Sequence, residues 1–286
     1  MRLARQAIAK STHNAYQKSL AHFRKFARFN KMKTSLPIHQ EDLACFLTYL
    51  YEKQLGFSTI SSISSGISYH HKLLNMVDPT KSYIIKQILI SVKKKRPTSD
   101  KRVPMTDDLL ISLVNTVDRL NNAIYEKTLL KTMFIFAFVF GTRISEITKN
   151  KHNLQFQQVE ITDEFVSVNF QSYKHSNGNQ VYLKCYATSS DICPVKALKE
   201  YVMVRGSKQG PFFKLKGKAV PQRFYNDRLK HICKKLKVDN ISSHSFRIGA
   251  ASKWAQQGLS EIEIKRRGRW STNAYKSYIR GSVEVN

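Results

Sequence analysis

The chain predicts a mainly α-helical protein with one small antiparallel β-sheet, arranged as two domains. Three observations carry that prediction. Apolar residues recur at helical spacing through the first 96 residues, a basic stretch with two prolines follows at 97–104, and beyond it two alternating runs flank Asn177-Gly178. Recurrence at i, i+3 and i+4 lines one face of a helix, whereas strict alternation around Asn-Gly marks a hairpin.

Taken in order, Ser11 or Thr12 stands where it can cap a first helix, with Tyr16, Leu20, Phe23 and Ala27 facing inward. Pro37 breaks the chain, and Leu43, Phe46, Leu47 and Leu50 mark a second helix. Gly56 and the Ser/Thr-rich stretch from Ser58 introduce a third, whose inner face is Ile60, Ile63, Ile67 and Leu74. A fourth runs from about Lys81 into Lys93-Lys94-Lys95-Arg96. Residues 1–96 then form the first domain, 97–104 a linker and 105–286 the second domain. The second domain should open with helices from Thr106 and over 123–140. Strands follow at 165–170 and 180–186, and Pro194 opens a helix through Val204. The remainder, to Ile279, reads as mostly helical.

Composition narrows the function. At 42% hydrophobic residues the chain can bury a core and is not disordered by composition. Its formal charge of +28 is self-repulsion that a fold tolerates best beside a polyanion. The first 40 residues hold nine basic side chains and no acid, which favours a phosphate-tracking surface, with Arg24 and Lys25 as candidate contacts. Lys93, Lys94, Lys95 and Arg96 have three readings: phosphate contacts, a nuclear address or a solvated helix end. The longest apolar run, 133–140, is far too short to span a bilayer. Arg2, Arg5 and Lys10 break any signal-peptide shape at the start. Cys45, Cys185, Cys193 and Cys233 are scattered without a Cys-x-x-Cys pair, as expected of buried, reduced thiols in an intracellular protein.

The chemistry-bearing residues are Arg143, Lys174, His244, Arg247, Trp270 and Tyr278, in that order. Each is ordinary alone. Gly141-Thr142-Arg143 can be a helix C-cap leading into a surface ion pair, a His-x-x-Arg pair is weak, and Trp270 can be a core aromatic. Together they supply two guanidinium forks for a phosphate, an ammonium, an imidazole, an indole donor and a phenol.

The stretch Gly141-Thr142-Arg143-Ile144-Ser145-Glu146 and the stretch His244-Ser245-Phe246-Arg247 resemble the tyrosine recombinase (phage integrase) family. The segment 268–280, from Gly268-Arg269-Trp270 to Tyr278-Ile279-Arg280, is most similar to the branch carried by eukaryotic mobile elements such as DIRS, Ngaro and Crypton. The resemblance implies a helical core-binding domain that clamps DNA, followed by an α+β catalytic domain. It implies cleavage and rejoining of double-stranded DNA through a covalent phosphotyrosine, with no metal or nucleotide cofactor. It further implies two protomers per site, four in a synaptic complex, and a nuclear location in a eukaryotic host.

Carried onto this chain, Tyr278 is the nucleophile, with Tyr275 as competitor, and Arg143 and Arg247 hold the phosphate. His244 accepts the tyrosine proton or hydrogen-bonds the phosphate. Lys174, rather than Lys184, protonates the leaving oxygen, and Glu146 supports the basic groups. Trp270 stands where the family has histidine or, in some branches, tryptophan; an indole donates one hydrogen bond but exchanges no proton. The interval from Trp270 to Tyr278 is one residue shorter than the commonest family spacing. Many relatives dock a C-terminal segment into a neighbour, and the eight residues after Tyr278 leave that mode open. Two other readings stand beside this one. A type IB topoisomerase shares the chemistry, although the helical first domain argues against it. A retired integrase would bind DNA without cutting it.

Overall fold

The computed structural model describes residues 7–97, 100–174, 176 and 178–280. The chain divides into two compact units, 1–100 and 101–286.

The first unit is four helices: α1 Lys10–Phe29, α2 Gln40–Glu52, α3 Phe57–Leu73 and α4 Tyr83–Lys95. α1 packs on α3, and α2 on α4. Their apolar stripes meet in a core around Phe23, Phe46, Leu47, Ile60, Ile67 and Ile85. Ala9, with no capping side chain, precedes α1, so neither Ser11 nor Thr12 caps it. Leu74 falls just past the end of α3 and is 36% exposed, outside the core expected to hold it. Within α3, His71 is fully buried and accepts from the Ile38 N–H at its Nε2 (2.9 Å). Its remaining proton therefore sits on Nδ1, which donates to the Ile67 carbonyl at 2.9 Å.

The second unit is built around α6 Ile124–Val139, whose residues Met133 to Phe138 are all buried. A helix apolar all round is a core helix, and the neighbours here are α5 Asp107–Asp118, α8 Pro194–Arg205 and α10 Ser243–Gln256. α5 begins where the sequence placed it, with Thr106 as its cap, and Pro194 opens α8 as expected from sequence. α7 is the single turn Ile144–Ile147, α9 is Gln222–Lys235 and α11 is Glu261–Gly268. β1 Val159–Ile161, β2 Phe165–Phe170 and β3 Val181–Tyr186 form one antiparallel sheet in that order.

The sequence missed β1, and missed the small hairpin of β4 Lys214–Leu215 and β5 Lys218–Ala219. Asn177 lies outside the described residues, and the connection from Phe170 to Val181 is longer than the tight turn Asn-Gly suggests. The expected linker is shorter in the structure. The N–H groups of Val103 and Met105 already donate to the carbonyls of Asn240 and Ser245, so this stretch is stitched into the second unit. Among the described residues no helix is long and apolar enough to cross a membrane. Cys193 and Cys233 are buried, but Cys45 is exposed and Cys185 half-buried, so two of the four thiols depart from expectation.

Candidate active site

The site begins where α6 ends. Gly141 takes a left-handed conformation (φ +52°), and a Cβ there would lie 2.6 Å from the Trp254 ring. Glycine is the residue that meets both conditions. The chain then restarts as α7 with Arg143 at its N-cap. The end-cap and ion pair read from sequence are both present, but the pair is part-buried rather than superficial, with Arg143 half-buried and Glu146 fully buried. Glu146 accepts from the Arg143 backbone N–H (3.0 Å) and from its Nη1 (3.1 Å). Only 1% of the Glu146 side chain is exposed, and its carboxylate, not an external anion, takes the N-terminal N–H of this single turn.

α10 supplies the next pair. Ser242 caps it, accepting from the His244 N–H at 3.3 Å and donating its own N–H to Ser245 Oγ at 3.1 Å. His244 and Arg247 follow one turn apart, as their spacing requires. Arg247 is completely buried. Its Nη1 donates to the Gly141 carbonyl at 2.6 Å and its Nη2 to the Gly268 carbonyl. Among the described residues its Nε has no partner. Burial first, then repulsion from Arg143 and Arg269, pushes the Arg247 pKa well below the ordinary arginine value.

α11 and the turn after it close the site. A Cβ on Gly268 would overlap the Trp270 ring at 1.6 Å, so glycine lets the indole fold back onto the helix end. Arg269 is left-handed (φ +55°), a conformation costing roughly 1–2 kcal/mol in a residue with a Cβ. Its buried side chain reaches the carbonyls of Gly141 (3.2 Å) and Arg267 (2.8 Å) and the Glu146 carboxylate (2.8 Å). Burial would raise the Glu146 pKa, but Arg269, Arg143 and Arg247 outweigh it and hold the carboxyl below its ordinary range. Sequence reasoning passed over Arg269. Its only signal was a cation held between Gly268 and Trp270 in the closing segment 268–280.

Tyr278 follows the short helical turn Asn273–Ser277. Its ring lies 4.8 Å from the His244 ring, 5.0 Å from Trp270 and 5.6 Å from the Arg247 guanidinium carbon. That guanidinium also stacks 4.0 Å from the Trp270 ring. Ser252, another residue that sequence missed, tethers the segment: its Oγ donates to the Tyr278 carbonyl (3.3 Å) and accepts from the Arg280 N–H (2.9 Å). Tyr275, the competitor, is fully buried against Trp254 and Ile264.

Lys174 is exposed in the loop after β2, next to buried Tyr173. Lys184 lies on β3 with its Nζ 3.5 Å from the Phe165 ring, committed to the sheet surface. The structure thus gathers Arg143, Glu146, His244, Arg247, Trp270 and Tyr278 around one place, and leaves Lys174 exposed in the loop between β2 and β3.

The first unit holds the remaining candidates. Arg24, Lys25, Lys94 and Lys95 are exposed, as is Lys93, whose Nζ lies 6.0 Å from the Phe57 ring. Arg96 differs: its Nη1 donates to the carbonyls of Tyr51 (2.8 Å) and Leu55 (3.2 Å), and its guanidinium stacks 4.0 Å from the Tyr51 ring. It is a structural tie of the first unit rather than a free cation.

Residues 104–279 match the sequence profile of the Phage integrase family. Among solved structures, the fold resembles XerH site-specific recombinase bound to palindromic difH substrate (TM-score 0.69, 16% identity, 93% of this chain and 75% of that one). It also resembles a lambda integrase dimer bound to a COC′ core site (TM-score 0.68, 14% identity, 99% and 77%). A third likeness is the Tn1549 transposon integrase in complex with circular intermediate DNA (TM-score 0.63, 13% identity, 95% of each chain). No curated protein sequence matches the chain.

Proposed function

This chain belongs to the phage integrase family, and from that premise we propose that it is a DNA strand transferase acting through Tyr278. The observation that carries the proposal is the packing of the Tyr278 ring among His244, Trp270 and Arg247. The burial of Tyr275 supports Tyr278 as the nucleophile. DNA is the proposed partner because the chain carries +28 and its structural likenesses include recombinases bound to DNA.

In the proposed reaction the Tyr278 oxygen attacks phosphorus and the phenolic proton passes to His244. The bond from phosphorus to the neighbouring sugar oxygen breaks, and that oxygen takes a proton from Lys174 and leaves as a hydroxyl. Arg143 faces the non-bridging oxygens, where charge accumulates. Its two contacts to Glu146 and Arg269 use one hydrogen of each Nη, leaving donors for an anion. Arg247, expected from sequence to be the second phosphate fork, is buried with both Nη groups on carbonyls, and in this reading acts from beneath, as a cation under both rings. The phosphotyrosine keeps the bond energy, so attack by another hydroxyl reverses the step without a nucleotide or metal. By the same family reading, two protomers occupy a site and four form the synapse. The closing segment supports the eukaryotic mobile-element branch, and with it a nuclear location.

One observation favours a second reading. Arg247 is sealed from solvent with both Nη groups on carbonyls, which suits a protein that binds DNA and no longer cuts it. Covalent capture separates the two. Purified protein is mixed with a pooled library of nicked duplexes and run on a denaturing gel beside Tyr278→Phe and Tyr275→Phe. A protease-sensitive shifted band absent only from Tyr278→Phe is the expected result. A band lost instead in Tyr275→Phe moves the nucleophile. Salt-sensitive binding with no band supports the non-cleaving reading.

A further inference from the structure

Three charged groups close a ring in the second unit. Arg143 Nη1 donates to Glu146 Oε1 at 3.1 Å, Arg269 Nη2 donates to Glu146 Oε2 at 2.8 Å, and Arg143 Nη2 donates to the Arg269 carbonyl at 3.1 Å. Arg269 thus touches Arg143 twice, through Glu146 with its side chain and directly with its backbone. The direct contact depends on the left-handed backbone, which turns the Arg269 carbonyl toward Arg143. The side chain is anchored by the carbonyls of Phe140, Gly141 and Arg267 and lies 4.1 Å over the Phe170 ring.

This is an expensive place for an arginine. The left-handed position at a helix end ordinarily takes glycine, and a buried guanidinium needs a full set of partners. Strain that persists at such a position points to a role that glycine cannot fill. A helix terminator alone needs only the backbone conformation. A side chain carried to Glu146 and to the turn at Gly141 does something further: it ties the Trp270 turn to the turn bearing Arg143.

We infer that Arg269 is a positioning residue for Arg143, fixing that guanidinium toward the scissile phosphate through Glu146 and through its own carbonyl. The inference rests on the strand-transfer reading above for its consequence, but its geometry stands apart from that reading. The test is therefore double. Arg269→Gly keeps the left-handed turn and removes the side chain. Arg269→Lys keeps a cation for Glu146 but cannot span the same carbonyls, and serves should the glycine variant fail to fold.

In the covalent-capture assay both variants should bind DNA with unchanged affinity and cleave at least tenfold more slowly than wild type. Combined with Arg143→Ala, either should slow cleavage no further than Arg143→Ala does alone, because the effect passes through Arg143. The second readout is ¹⁵N-arginine NMR of the full chain, with the Arg143 signals assigned through Arg143→Lys. Restrained Arg143 Nη signals in wild type should collapse to an averaged signal in the variants. Wild-type cleavage in Arg269→Gly, or slowing of the Arg143→Ala background by a further tenfold, overturns the inference. If the wild type forms no adduct, the strand-transfer reading fails. The NMR then decides on its own: Arg143 signals unchanged by either substitution overturn the positioning role, and collapsed signals sustain it.

Discussion

Glu146 is the residue on which the charge balance of the site turns. Its one carboxylate lies among Arg143, Arg247 and Arg269, three cations that burial keeps close together. Removing one partner of a buried ion pair typically costs about 3–5 kcal/mol, because the other charges are left unneutralised. Glu146→Gln keeps the shape and loses the charge, and should lower the melting temperature at pH 7 by about 6 °C or more in a domain of this size. The sign of the pH dependence follows from the shift. The folded pKa lies below the ordinary 4.5, so the contribution is complete above pH 4.5 and is lost as pH falls through the folded value. Wild type should therefore lose its advantage over Glu146→Gln on acidification; a constant gap from pH 7 to 3 contradicts this account. At this scale the sequence was partly legible. Arg143, His244, Arg247 and Tyr278 stand in motifs, whereas Arg269 matters through contacts with residues more than 120 positions earlier, which no local pattern reveals.

Elements were legible where they are long. The four helices of the first unit and α5, α6 and α8 each repeat an apolar face or carry a cap or proline, and each lies within a few residues of its expected span. β1, β4 and β5 are two or three residues long, too short to show alternation, and tertiary pairing alone makes them strands. The end of α11 at Gly268 has a reason that no local pattern shows. Gly268 leaves room for Trp270, whose ring a Cβ would overlap. Gly268→Ala should therefore force the indole off the helix end and uncover Arg247 beneath it. With Trp254→Phe as background, leaving Trp270 as the sole indole, its emission should shift to the red and the melting temperature should fall. Unchanged emission would mean that the turn relaxes without moving the ring, and would remove Trp270 as the cover of Arg247.

For the whole molecule the governing quantity is charge, with +28 spread over both halves of the sequence. A polyanion that exchanges its counterions for lysine and arginine gives an affinity falling linearly on a log–log plot against salt, with a slope near −0.9 per phosphate contact on duplex DNA. This makes the basic run at the end of α4 a test of which cations face the partner. Lys94 and Lys95 are exposed, whereas Arg96 is held by the carbonyls of Tyr51 and Leu55. Lys94→Ala with Lys95→Ala should flatten the slope by up to about 1.8 and leave the melting temperature unchanged. Arg96→Ala should do the reverse, lowering the melting temperature while the slope stays within about 0.5 of wild type. The comparison needs only fluorescence anisotropy on a random duplex between about 50 and 200 mM salt. A slope that falls with Arg96→Ala and not with the lysine pair would mean that the arginine leaves its carbonyls to meet the phosphate. The basic run would then act by rearrangement rather than by the charges already displayed.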